Sequence, residues 1–94
     1  EHDISTKELI IQQASNKYII DALLPLDEFN SKFESSLIDK DIETIGGYLV
    51  NRFEKVPKKQ ELIEINNFLF TILSADSKKI NRIQLTIKKD KQVS

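Results

Sequence analysis

The stretch Asp41-Ile-Glu-Thr-Ile-Gly-Gly-Tyr-Leu-Val-Asn-Arg-Phe-Glu-Lys-Val-Pro57 decides how this chain folds. It holds both glycines of the chain, Gly46 and Gly47, and ends on one of its two prolines. Ile42, Ile45, Leu49, Val50 and Phe53 recur at helical spacing, which makes one face apolar. Thr44 or Asp41 stands where a side-chain oxygen can accept from an orphan backbone N–H of the first turn. Pro57 ends the segment. A glycine costs a helix interior about 1 kcal/mol relative to alanine, so a Gly-Gly pair there needs a reason. The simplest reason is close approach of the helix backbone to a sheet.

Outward from this helix the periodicity switches. Glu8–Gln13 and Lys17–Ala22 read as two strands, with Ala14-Ser15-Asn16 turning between them. Pro25 closes the second strand, and Leu26 or Asp27 opens a short helix with Leu26, Phe29 and Phe33 on one face. Beyond Pro57 a strand is expected over Glu61–Ile65, then an Asn66-Asn67 turn and a longer strand over Phe68–Ala75. Alternation is cleanest at the end, where Ile83, Leu85 and Ile87 face one way and Arg82, Gln84, Thr86 and Lys88 the other. One-sided alternation of this kind marks an antiparallel sheet covered on a single face. The expected fold is α+β: a mainly antiparallel sheet with two short helices packed on one face, in the order β-β-α-α-β-β-β. Leu9, Ile11, Tyr18 and Ile20 are expected in the core from the first two strands, and Leu26, Phe29, Phe33, Ile45, Leu49 and Phe53 from the helices. Phe70, Ile72, Ile83, Leu85 and Ile87 complete it.

Ninety-four residues allow one domain with a modest core. With no cysteine the chain has no disulfide, thiolate metal site or cysteine nucleophile, which is compatible with a reducing compartment. No run approaches the roughly 18 apolar residues that a bilayer span needs, so direct membrane insertion by this segment is not expected. The net charge of −1 points to no nucleic-acid partner. Charge is uneven along the chain: residues 1–73 carry eight basic and thirteen acidic side chains, and 74–94 six and two. Lys78, Lys79, Arg82, Lys88, Lys89 and Lys91 make the basic end. They lack interleaved aromatics, and lysines along a strand edge commonly discourage aggregation.

Little in the chain suggests catalysis. The one histidine is His2, so neither a catalytic triad nor a histidine metal site can be assembled. Asp39, Asp41 and Glu43 place carboxylates two residues apart, the weak candidates for a metal site. A calcium or magnesium loop needs more oxygen ligands and usually a glycine at its sharp turn. These acids are better read as a solvated approach to a helix N-terminus, where negative charge suits the dipole. Gly46 and Gly47 near that N-terminus, with Tyr48, are the weak candidates for binding a cofactor or phosphate. A nucleotide fingerprint would add glycines at set spacing, whereas Tyr48-Leu49-Val50 follow here. Packing is the stronger reading of both glycines. Tyr18 and Tyr48 sit at apolar-periodic positions and read as core with the hydroxyl at the rim.

Three features together resemble the CorC/HlyC transporter-associated domain. The first is the Asp41…Thr44-x-Gly46-Gly47 segment, followed by Val56-Pro57 and a strand. The second is Tyr18-Ile-Ile-Asp21 followed by Leu26-Asp-Glu-Phe-Asn30. The third is Phe68–Asp76 followed by Lys79-Ile-Asn-Arg-Ile83, similar to the family's closing hairpin. The likeness runs from about Glu8 to Lys88. Family glycines near Glu54, Gln60 and Asn67 are absent, so those turns must be built differently here. The resemblance implies residues 1–7 as a linker from a CBS pair, 8–89 as the domain and 90–94 as a disordered tail. It implies similarity to part of a FAD-binding domain, and no enzyme activity. It further implies a non-catalytic regulatory role in magnesium and cobalt efflux by a CBS-pair, haemolysin-like membrane protein, at the cytoplasmic face of the cell membrane. The partners would be the CBS pair and the transmembrane domain of the same full-length chain, with a homodimer as a further option and no cofactor required. The alternative is a ligand-sensing module that takes an adenine nucleotide or a flavin-like molecule in the groove beside Gly46.

Overall fold

The structure, a computed structural model, describes residues 9–88. It contains β1 (Ile10–Ala14), β2 (Lys17–Asp21), α1 (Leu26–Phe33), α2 (Ile45–Phe53), β3 (Leu62–Ile65), β4 (Phe68–Ala75) and β5 (Ile80–Ile87). The expected linker at 1–7 and tail at 90–94, with His2, Lys89 and Lys91, lie outside the described residues. All strand pairings are antiparallel, in the order β1-β2-β5-β4-β3. The element order is the expected one. β5 starts earlier than its alternation suggested, because buried Ile80 already pairs with Ala75.

Both helices lie on one face of the sheet. Each strand sends alternate side chains to that face: Ile20 from β2, Ile63 and Ile65 from β3, Phe68, Phe70 and Ile72 from β4, Ile83 and Leu85 from β5. The helices answer with Leu26, Phe29, Ile45, Tyr48 and Leu49. Phe29 is central, its ring centroid 4.8 Å from Phe33, 5.6 Å from Phe68 and 5.9 Å from Phe70. Tyr18 meets Phe33 edge-on at 4.9 Å. Such pairs add about 0.5–1.5 kcal/mol each beyond the area they bury.

One expected core residue is corrected. Ile11 is 50% exposed. It pairs with Ile19, which pairs with Gln84, and this row lies on the face away from the helices. Its neighbour Ile10 takes the inward place, opposite Ile20. Leu9, Tyr18, Phe33, Phe53 and Ile87 are half-buried and pack at the margin of the core. Ala22, Leu24, Leu37, Ile63, Ile65, Phe68 and Ile80 are buried without having been expected there.

The turns lacking family glycines use other residues in the same conformation. Glu54 (φ 69°) caps α2, Gln60 (φ 74°) precedes β3, and Asn66 (φ 57°) turns β3 into β4. Glu34 (φ 54°) caps α1 in the same way. Asparagine tolerates this region, whereas glutamate and glutamine enter it at a cost of about 1–2 kcal/mol.

Candidate functional site

The Gly-Gly helix forms one wall of a slot of about 390 Å3. Leu23, Ile42, Val50 and Ile80 make it apolar, and Lys78 and Lys79 stand in its lining. Gly46 is there because α2 touches the chain just past β2. A Cβ on Gly46 would lie 2.6 Å from Ala22 Cβ and 2.9 Å from Ala22 O. The glycine N–H donates to that same oxygen at 3.0 Å. Gly47 is less constrained, since a Cβ there would meet Thr44 Oγ1 at 3.2 Å and Ile42 Cγ2 at 3.4 Å. Neither glycine has positive φ, so it is the missing side chain that matters.

The first turn of α2 has no donor left for an anion. Ile45 N–H donates to Leu24 O at 3.0 Å, Gly47 N–H to Thr44 Oγ1 at 3.1 Å and Tyr48 N–H to Thr44 O at 3.0 Å. Thr44 is thus the N-cap, and the helix N-terminus is closed by the protein itself. Tyr48 is buried among the core side chains, with the Arg52 guanidinium 5.9 Å from its ring centroid. The three cofactor candidates therefore share one helix turn, and each has a packing role.

The carboxylates of the α1–α2 loop do not converge. Asp39 Oδ2 accepts from Asn51 Nδ2 at 2.7 Å, tying the loop to α2, while Asp41 and Glu43 are exposed. Among the described residues no three His, Cys, Asp or Glu side chains are grouped as a metal site would require. The loop is held instead by Asn30, the last residue of the Leu26–Asn30 motif, in a role no local pattern signals. Its Nδ2 donates to Leu37 O at 2.8 Å, and its Oδ1 accepts from Ser35 Oγ at 2.7 Å and from Leu37 N–H at 2.9 Å. Leu26 N–H donates to Glu43 O at 2.7 Å and closes the other side. This clamp buries Leu37 and turns Ile38 out to 77% exposure, over a second hollow of about 620 Å3 lined by Asp27, Asn30 and Glu43. Ile38 and Leu23, the two most exposed large apolar side chains described, line the two hollows, which share Ile42 and Thr44.

The lysines of the slot come from the β4–β5 turn. Asp76 organises it by accepting from the N–H groups of Lys78 at 2.8 Å and Lys79 at 3.0 Å. These two bonds hold its carboxyl below the usual value of 3.8. Among the described residues no helix is long and apolar enough to cross a membrane.

A family model described as "Transporter associated domain", CorC_HlyC, matches residues 11–89. The magnesium and cobalt efflux protein CorC of Pasteurella multocida is 33% identical over 89 residues, covering 93% of this chain and 30% of that protein. The chain thus spans less than a third of that curated relative's length. A hemolysin domain from Enterococcus faecalis V583 superposes with a TM-score of 0.80 at 25% identity, covering 87% of this chain and 100% of that one. A Mg2+ and Co2+ transporter (CorC) associated region from Neisseria meningitidis MC58 reaches 0.82 at 22% identity, over 85% of this chain and 99% of that one, a likeness of fold.

Proposed function

This chain belongs to the CorC/HlyC transporter-associated domain family, and on that premise we propose that it is a non-catalytic regulatory domain of a longer membrane ion transporter. In this reading it lies at the cytoplasmic face beside a CBS pair and modulates magnesium or cobalt efflux through contacts between domains. The observation that carries the proposal is the match over 11–89 to a family whose efflux-protein relative is three times as long. The site geometry supports it. The polar groups at the Gly-Gly turn serve the fold, while Leu23 and Ile38 are left exposed. A domain of this kind biases transport only if it touches one state of the transporter differently from another.

The test is efflux from cells loaded with magnesium or cobalt, comparing the full-length transporter with one lacking this domain and with Leu23→Asp and Ile38→Asp variants. Both side chains are exposed, so the variants should fold normally. The expected result is altered rate or set-point at unchanged membrane abundance. Transport identical in all four proteins would reject the proposal.

A second reading, an adenine nucleotide or flavin-like ligand beside Gly46, is favoured by the slot itself, whose volume suits a small ligand and whose lining includes two lysines. Against it stands the closed N-terminus of α2. A ligand at 100 times its dissociation constant would add about 2.7 kcal/mol of stability, raising the melting temperature by more than about 10 °C. A thermal-shift series with adenine nucleotides, flavins, magnesium and cobalt separates the two readings. A shift of that size promotes the ligand reading, and flat melting curves leave the docking one.

A further inference from the structure

Strand β1 is an edge of the sheet among the described residues, hydrogen-bonded to β2 alone. Among the described residues its own stretch carries no charge: Leu9-Ile10-Ile11-Gln12-Gln13-Ala14-Ser15-Asn16 contains no Lys, Arg, Asp, Glu or Pro. The opposite edge, β3, differs. It carries Glu64, which pairs with Lys88, and follows Lys58 and Lys59. Exposed edges are usually blunted by charge, proline or irregularity, and β1 has only the bulge between Gln12 and Ala14.

The ladder fixes which backbone groups of β1 face outward. Asp21 N–H donates to Leu9 O, so odd-numbered residues of β1 bond to β2. The other side of β2 agrees, because Ala22 N–H donates to Asn81 O and even positions face β5. The N–H and C=O groups of Ile10 and Gln12 therefore point away from the sheet. They are symmetric about Ile11. A second β1 laid antiparallel with its Ile11 opposite this one would set Ile10 against Gln12 twice, making four backbone hydrogen bonds. At the axis the two Ile11 side chains would form a non-hydrogen-bonded pair, the closer kind, with Cα atoms about 4.5 Å apart. Ile19 stands beside Ile11 on the same face, so four isoleucines would meet there.

We propose that β1 is a self-association edge, pairing with β1 of a second copy of this chain about a twofold axis through Ile11. The absence of charge is what makes a copy the fitting occupant, since the edge faces itself without like-charge repulsion and offers no ion pair to a charged partner. Three residues from each strand bury far less than the 1,200 Å2 or so of a standard interface, so the isolated chain should associate weakly and reversibly. This inference stands apart from the regulatory reading and survives its failure.

The chain's lack of cysteine provides a direct test. Single-cysteine variants Ile11→Cys and Ile38→Cys are oxidised mildly at millimolar protein. Ile11 is half-exposed and Ile38 more so, which lets both variants fold, and circular dichroism checks that they do. Paired thiols at the axis should crosslink at least about tenfold faster than the equally available ones at position 38. In the unaltered protein, exchange of the Ile10 and Gln12 amide protons should slow as concentration rises, and Ile11→Lys, which sets two ammonium groups face to face, should abolish that slowing. Equal crosslinking rates, or exchange at Ile10 and Gln12 independent of concentration, would overturn the proposal. So would a dimer whose mass persists in Ile11→Lys, since its contact would lie elsewhere.

Discussion

Replacing Gly46 by alanine tests the close approach of α2 to Ala22. The added Cβ would sit 2.6 Å from Ala22 Cβ and 2.9 Å from Ala22 O, where ordinary carbon contacts are about 3.5–4.0 Å. Helix α2 must withdraw from the chain beyond β2 by about 1 Å. Overpacking of this kind costs about 1–3 kcal/mol. Withdrawal also lengthens the 3.0 Å bond from Gly46 N–H to Ala22 O, with about 1 kcal/mol at stake. Against these stands the gain of about 1 kcal/mol from alanine's better helix propensity. The net expectation is a loss of about 1–3 kcal/mol, read as a lower urea midpoint at unchanged slope. Gly47→Ala meets contacts only at 3.2 and 3.4 Å, so its helix gain should nearly cancel its cost. Combining Gly46→Ala with Ala22→Gly removes the Cβ–Cβ clash but not the one with the carbonyl oxygen, so the double variant should recover part of the loss. Equal stabilities for Gly46→Ala and Gly47→Ala would refute the reasoning, because the two glycines would then share one role.

Glu54→Gly and Gln60→Gly should each raise stability by up to about 1 kcal/mol, because glycine relieves the left-handed strain while giving back some chain entropy; chemical denaturation measures it, and a loss would contradict the assignment. Asn30→Ala should cost about 2–3 kcal/mol, since it strands Leu37 N–H and O and frees the loop. Amide exchange at Leu37 should accelerate with it, and a near-neutral result would remove Asn30 from its role as clamp. Asp76 titrates below its ordinary value in the folded chain. Its contribution to stability is therefore full above the unfolded value of 3.8 and lost as pH falls through the lower folded value. Asp76→Ala should lower stability at neutral pH and flatten the acid limb of the stability–pH curve below 3.8, while a parallel curve would show that the carboxyl is not coupled to folding.

Most of the fold is legible in the sequence wherever period and punctuation agree. The last strand alternates cleanly, Asn66-Asn67 marks the turn from β3 into β4, and Thr44 with the glycine pair marks both the cap and the thin side of α2. Ile11 fails for a specific reason. Ile10-Ile11 and Ile19-Ile20 are apolar doublets, and in a doublet alternation does not say which member faces inward. Only the register with β5, through Ile20 opposite Ile83, decides it. Leu24 and Leu37 were hidden because they lie in irregular segments, where no period exists to read. The clamp by Asn30 is equally silent, since its partners at positions 35 and 37 are chosen by the fold of a loop. Of the candidate site, the groove beside Gly46 is where the glycines suggested. Its lysines come from a turn more than thirty residues away, a proximity that no local pattern encodes.

The place of β5 has a consequence for how this domain is made. Among the described residues it is the last strand in chain order, and it lies at the centre of the sheet, between β2 and β4. Until it arrives, the β1–β2 and β3–β4 hairpins share no backbone bond, and the inner edges of β2 and β4 stand open together with their isoleucines and phenylalanines. A ribosome delivering this chain therefore releases two half-sheets that only the final strand can join, so the domain completes itself late and all at once. A chain stopped between Ala75 and Ile80 would expose both inner edges, in place of forming a smaller stable domain.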